Sequence, residues 1–269
     1  MAHEKFKGSM IRVVDLCTFY GDRQILKNVN LEIQTGETMV ILGGSGTGKS
    51  TLLRHIIRLE RPSSGHIYIM NQDVCHMPES QFDLLRPKIG MLFQSAALFN
   101  SMTIEENVSL PLRELTQLED STIRIMTRIK LDLVGLQGVE NYMPSELSGG
   151  MKKRAGLARA LTMDPEILLF DEPSAGLDPI TAAGIDELIV KLKKAFKMTI
   201  VVVTHELPSA RIIADRVTMM DKGEVIAIGT LDELGKSDHP RVQQFLQRVP
   251  EAESEDPQKY LREITESPA

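Results

Sequence analysis

Eight consecutive residues, Gly43, Gly44, Ser45, Gly46, Thr47, Gly48, Lys49 and Ser50, fit the spacing G-x-x-x-x-G-K-[ST], and Thr51 follows them. Glycines at these intervals let backbone N–H groups curl around an anion, and a helix starting at the last of them adds its partial positive end. Lys49 is placed to bridge the β- and γ-phosphates of a nucleoside triphosphate. The Ser50 hydroxyl can ligate Mg²⁺, and Thr51 can reach the α-phosphate.

A carboxylate pair lies downstream. The apolar run Ile167-Leu168-Leu169-Phe170 leads straight into Asp171-Glu172. Asp171, closing a strand, suits the orientation of Mg²⁺, directly or through water. Glu172 is expected to point toward the γ-phosphate and polarise the attacking water. Acidic pairs before a proline also cap helices, and here the phosphate loop favours the chemical reading. A second glycine segment, Leu147-Ser148-Gly149-Gly150-Met151, stands between the two. Ser148 can cap a helix from Met151, leaving the Gly149 and Gly150 amides as a further anion site.

These residues need a scaffold that gathers them. Ile11 to Ile33 alternates apolar and polar around Tyr20-Gly21-Asp22-Arg23, as a β-hairpin or meander does. Thr38–Leu42, Ile89–Phe93, Ile167–Phe170 and Thr199–Val203 are short apolar runs of the kind covered on both faces of a parallel sheet. Each ends in phosphate or water chemistry: the glycine loop, Gln94, Asp171-Glu172 and Thr204-His205. Parallel α/β sheets place ligands at the carboxyl ends of their strands, and four such ends are hard to explain as packing.

Helices are expected over Lys49 to Leu59, Met151 to Leu161, Pro179 to Ala195 and Pro240 to Arg248. Asp178 before Pro179 is a favourable start. From Ser95 to about Pro144 the texture is helical, with a capping box at Thr103-Ile104-Glu105-Glu106 and a second helix from about Asp120 to Val134. This stretch splits the α/β pattern and reads as an inserted helical subdomain, about 95–160. A strand pair is expected near Gly65 to Met70 and a hairpin over Val217 to Ile228, with a further capping box at Thr230-Leu231-Asp232-Glu233. The acidic tail, 246–269, is either disordered beyond Pro250 or docked on a partner.

The chain has 269 residues, 42% hydrophobic and 25% charged, with a net charge of -6. That balance is ordinary for a globular domain and lacks the basic footprint of a nucleic-acid binder. Cys17 and Cys75 have no metal-ligand spacing and are expected to be thiols in a reducing compartment. No stretch approaches the roughly 20 apolar residues that span a bilayer, and Met1 to Gly8 carries no secretory apolar core. A cytosolic chain is expected, unless something holds it against a membrane. The Lys152-Lys153-Arg154 trio reads as a solvated helix face.

Leu147-Ser148-Gly149-Gly150-Met151 resembles the LSGGQ signature of the ATP-binding cassette family, with Met151 in place of the usual Gln. Ser174-Ala175-Gly176-Leu177-Asp178 is similar to that family's D-loop. The resemblance covers Met10 to Leu234 and implies a domain at 10–245. It implies an α/β fold: a RecA-like P-loop core, an antiparallel β subdomain and an inserted α-helical subdomain. It further implies that Gln94 senses Mg²⁺ and the attacking water, that His205 contacts the γ-phosphate, and that Tyr20 stacks on adenine. Ser148, Gly149, Gly150 and Asp178 are then cofactor-binding across a homodimer, each ATP lying between the glycine loop of one copy and the signature of its twin. Glu172, His205 and Gln94 form the catalytic set, and Ser50, Gln94 and Asp171 the metal set. Losing the Gln at position 151 removes whatever contact it makes, while those of Ser148 and Gly150 are expected to survive.

Phe93-Gln94-Ser95-Ala96-Ala97-Leu98-Phe99, Met102-Thr103, Glu106-Asn107-Val108 and Pro111-Leu112-Arg113-Glu114, with Met143-Pro144-Ser145-Glu146 before the signature, resemble the ATPase subunits of Mla-type phospholipid transporters. The expected partners are an integral membrane permease (MlaE-like), an MCE-domain lipid-binding protein (MlaD-like) and a small STAS-domain protein (MlaB-like). The place is the cytoplasmic face of the bacterial inner membrane, and the cargo passes between inner and outer membranes. Leu98 and Phe99 are either a groove for a permease's coupling helix or core residues of the helical subdomain. The competing readings are a cassette ATPase for another cargo (amino acid, metal or lipoprotein) and a non-transport cassette ATPase.

Overall fold

The computed structural model describes residues 8–250. The acidic tail expected after Pro250 lies outside the described residues. The buried strands β3 (Thr38–Leu42), β7 (Ile167–Asp171) and β8 (Thr199–Thr204) form the middle of a six-stranded sheet. With β6 (Ile89–Leu92), β9 (Arg216–Asp221) and β10 (Glu224–Gly229) its order is β10-β9-β3-β8-β7-β6. Only the β9–β10 pairing is antiparallel. A second, antiparallel sheet orders β2 (Arg23–Gln34), β1 (Ser9–Tyr20), β4 (Ser64–Ile69) and β5 (Gln72–Asp73).

Strand periodicity decides what each face buries. Val40, Leu42, Leu168, Phe170, Ile200 and Val202 point into a core shared with the helices. Their neighbours Met39, Ile41, Leu169, Val201 and Val203 point the other way, onto the antiparallel sheet and α1 (Lys49–Ile56). Both faces are therefore covered, which is why these strands read as continuous apolar runs.

Between β6 and β7 stand α3 (Ile104–Leu115), α4 (Asp120–Leu133) and α5 (Gly149–Ala160), packed on one another. The capping box at Thr103 is present: Glu106 N donates to Thr103 Oγ1 at 3.2 Å and Thr103 N to Glu106 Oε2 at 2.7 Å. Small residues on α5 (Ala155, Gly156 and Ala158, all buried) allow close approach; a Cβ on Gly156 would sit 2.9 Å from Leu92 and 3.1 Å from Ala96. Short α2 (Glu79–Leu85) follows the small hairpin, α6 (Pro179–Phe196) follows Asp178, and α7 (Leu207–Ile213) follows His205. The chain continues into α8 (Leu231–Gly235) and α9 (Pro240–Leu246). Neither α2 nor α7 was anticipated, since seven residues show less than two full helical periods. The first helix ends at Ile56, short of Leu59, and the β6 strand at Leu92, short of Phe93.

Candidate active site

The glycine loop leaves buried β3 and turns within six residues into α1. A Cβ on Gly43 would lie 2.4 Å from the Met220 carbonyl oxygen on β9, so no larger residue fits. Gly48 caps α1 in a left-handed conformation (φ 98°) that glycine adopts without cost. Lys49 is buried, and its Nζ donates to the Gly43 and Gly44 carbonyls, each at 2.8 Å. Burial pushes its pKa down; the nearby Glu172 and Asp171 carboxylates pull the other way. The ammonium thus sits inside the loop whose amides are suited to an anion.

The strand order brings distant residues to this loop. Ser50 Oγ donates to Asp171 Oδ1 at 2.8 Å across 121 residues of sequence. Glu172, one residue on, has a left-handed backbone (φ 48°), an uncommon state for a residue with a Cβ. Its N–H donates to the Val203 carbonyl at 2.9 Å on neighbouring β8. Its carboxylate accepts from His205 Nδ1 at 2.9 Å on both oxygens and from Thr204 Oγ1 at 3.3 Å. Glu206 N donates to that same hydroxyl at 3.0 Å. Asp171, Glu172, Thr204 and His205 meet because β7 and β8 are parallel neighbours in register, Asp171 opposite Val203.

Lys153 overturns the expectation of a solvated basic face. It is buried, and its Nζ donates to the Gln94 carbonyl at 2.5 Å and the Glu172 carbonyl at 3.0 Å. Burial lowers its pKa, against the pull of Asp171 and Glu172. Arg154 is also tied in, donating to the Val134 carbonyl at 2.7 Å. The helix start at Gly149 puts Gly150, Lys153 and Leu157 on one buried stripe. That spacing of three and four was the available signal, masked by three adjacent charges. Gln94 itself is exposed, just past β6. Thr204, read from the sequence only as part of the Thr204-His205 strand end, proves to hold the Glu172 carboxylate through its hydroxyl.

The signature segment forms a separate exposed tip. Ser148 Oγ accepts from Met151 N at 3.3 Å, and Ser148 and Gly149 are exposed. Asp178 accepts from Ile180 N and Thr181 N at 3.0 Å each and from Thr181 Oγ1 at 2.5 Å. The Thr181 methyl packs against Gly150, where a Cβ would meet it at 2.4 Å. The starts of α5 and α6 are therefore locked together. No hydrogen bond joins Ser148, Gly149 or Asp178 to the glycine loop among the described residues. Tyr20 is 47% exposed at the end of β1, its hydroxyl donating to Glu60.

Comparisons with known proteins agree with this layout. The chain is 41% identical over 265 residues to the intermembrane phospholipid transport system ATP-binding protein MlaF of Haemophilus influenzae, covering 96% of this chain and 99% of that protein. It is 43% identical over 239 residues to the probable ribonucleotide transport ATP-binding protein mkl of Mycobacterium leprae, covering 89% and 69%. Its fold matches a dimeric, post-hydrolysis structure of the ATP-binding cassette MJ0796 bound to ADP and Pi, with TM-score 0.77, 35% identity and 82% and 99% coverage. The sequence model of the family described as ABC transporter matches residues 26–175, and the chain belongs to that family.

Proposed function

We propose that this chain is the ATP-hydrolysing subunit of a phospholipid transporter, working as a pair of copies on the cytoplasmic face of the inner membrane. One observation carries the hydrolytic reading: the Glu172 carboxylate, held by His205 and Thr204, lies beside the Ser50–Asp171 pair at the mouth of the glycine loop. The loop amides and Lys49 bind the phosphates, and Tyr20 stacks on the base. Ser50 and Asp171 offer the hard oxygen donors that suit Mg²⁺, with Gln94, just past neighbouring strand β6, as the third proposed ligand; the ion would neutralise phosphate charge. Glu172 takes the proton of the attacking water, His205 moves from Glu172 to the γ-phosphate, and Ser148, Gly149, Gly150 and Asp178 close the site from the twin copy.

Lys153 positions Glu172 through its backbone. Replacing Lys153 with Met is expected to lower kcat by roughly ten- to a hundredfold, the equivalent of about 1.5–3 kcal/mol for hydrogen bonds from a charged donor. Nucleotide affinity should stay within a few fold. Steady-state kinetics alongside nucleotide titration separates the two; an affinity loss at constant kcat argues against a positioning role.

The phospholipid cargo is supported by near end-to-end correspondence with MlaF, whereas the chain spans 69% of mkl. The permease is proposed to dock in an apolar groove of about 500 Å³ lined by Phe82, Met91, Phe99, Pro111 and Leu115, among others. Asn107 holds the groove's rim: its Oδ1 accepts from Phe99 N at 2.7 Å, and its Nδ2 donates to the Phe99 carbonyl at 3.0 Å. Phe99 is thereby kept 51% exposed, while Leu98 packs on the core. Further partners are an MCE-domain protein and a small STAS-domain protein.

The test is purification of the tagged chain from its own membranes, identifying copurifying subunits and lipid by mass spectrometry. A permease with bound glycerophospholipid is expected, and Phe99→Glu should cut its recovery at least tenfold. A permease carrying another cargo overturns the lipid assignment. Recovery of nucleic acid with no membrane protein overturns transport.

A further inference from the structure

The small hairpin β4–β5 carries a second cluster of donor groups. His66 lies on β4, Asp73 ends β5, and His76 follows three residues later. Both imidazoles turn Nδ1 toward one carboxylate oxygen. Asp73 Oδ2 is 2.7 Å from His66 Nδ1 and 3.0 Å from His76 Nδ1. The other oxygen, Oδ1, is already fixed by the Cys75 N–H at 3.0 Å. The two rings are 4.9 Å apart between centroids, and His66 stacks on Tyr68 at 5.9 Å.

The frame under these side chains is stiff. Met70 and Asn71 form a two-residue turn with φ 49° and 64°, the sign that tight hairpins require at both positions. Ladder pairs Ile69 with Gln72 and Tyr68 with Asp73 close it. Among the described residues Asp73 pairs with two imidazoles and with no lysine or arginine.

We propose that His66, Asp73 and His76 bind a divalent transition ion, Zn²⁺ being the best chemical match. Two imidazole nitrogens and one carboxylate oxygen are a Zn²⁺ donor set, with a fourth position open to water. Mg²⁺ favours oxygen donors and many waters, and competes poorly for two nitrogens. Bonds of about 2.0–2.1 Å at tetrahedral angles set donors roughly 3.4 Å apart. Measured from Asp73 Oδ2, His66 Nδ1 must then withdraw by about 0.7 Å and His76 Nδ1 by about 0.4 Å. The ring side chains are 46% and 64% exposed, so both have room to rotate. Asp73 keeps its Cys75 anchor throughout, in the manner of an outer-shell contact that orients a ligand. A bound ion would clip β4 and β5 to the segment leading into α2, which supplies Phe82 to the apolar groove.

The experiment is titration of chelator-treated full-length protein with Zn²⁺ alone, without nucleotide, read by calorimetry and by thermal midpoint. Saturable uptake through this site and a raised midpoint are expected, because an ion that binds only the folded chain stabilises it. His66→Ala and His76→Ala should each lose that increment, and Asp73→Asn should weaken it by about 10–100-fold or more, the range that outer-shell partners already command. Nitrogen-15 spectra of the wild type should show Zn²⁺-induced shifts at Nδ1 of both histidines, a readout that needs no variant to fold. Absence of saturable uptake, or uptake unchanged in the double histidine variant, overturns the site. None of the three residues belongs to the nucleotide machinery, so this result and the ATPase reading fail independently.

Discussion

Replacing Glu172 with Gln is expected to lower ATP turnover by about 10²–10⁴-fold, the contribution typical of a positioned general base. Nucleotide binding should persist, because no contact expected of the glycine loop, Lys49 or Ser50 is altered. The amide keeps the size of the carboxylate and can still accept from Thr204, but it cannot take a proton from water. With hydrolysis blocked, the ATP-bound pair should accumulate, visible as a dimer in size-exclusion chromatography with ATP and as a monomer without it. Turnover near the wild-type rate would remove Glu172 from its role. The left-handed backbone at Glu172 sharpens this test: the two residues share that conformation's cost, so a difference in rate reports the functional group.

Replacing Ser148 with Phe is expected to reduce turnover by about 10²–10³-fold, the usual cost of losing a preorganised donor at a charged transition state. Affinity of the single chain for ATP should remain near normal, because among the described residues Ser148 makes no hydrogen bond to its own glycine loop. The variant also loses the Met151 N–H cap on α5, worth about 1 kcal/mol, or roughly 2–4 °C in a domain of this size. A thermal shift of that order can therefore be separated from the loss of rate. Collapse of single-chain affinity would show that the signature serves its own loop, and the two-copy arrangement would fall.

Much of the site was legible because its chemistry is contiguous. Gly43 to Thr51, Asp171-Glu172 and Ser148 to Gly150 are each local runs, and local runs survive reading without a structure. The apolar strands were legible too, since burial on both faces leaves unbroken Val, Ile and Leu. Lys153 was misread for the opposite reason. A charge inside a basic trio looks solvated until the neighbouring carbonyls are known, and those of Gln94 and Glu172 lie 59 and 19 residues away in sequence. Phe99 was left between core and groove because its exposure rests on Asn107, through a contact that its spacing does not announce.

The residue order alone determined which groups could bind phosphate, hold a metal or activate water, and that parallel strands would present them at one edge. Backbone amides, hydroxyls and carboxylates carry those capacities wherever the chain places them. Only the tertiary structure decided how they meet: Ser50 against Asp171, Glu172 clamped by His205, a lysine drawn inward to two carbonyls, and Ser148 left facing outward. Those outcomes depend on strand order and register, which sum weak packing preferences over the whole chain and leave no mark at any one position.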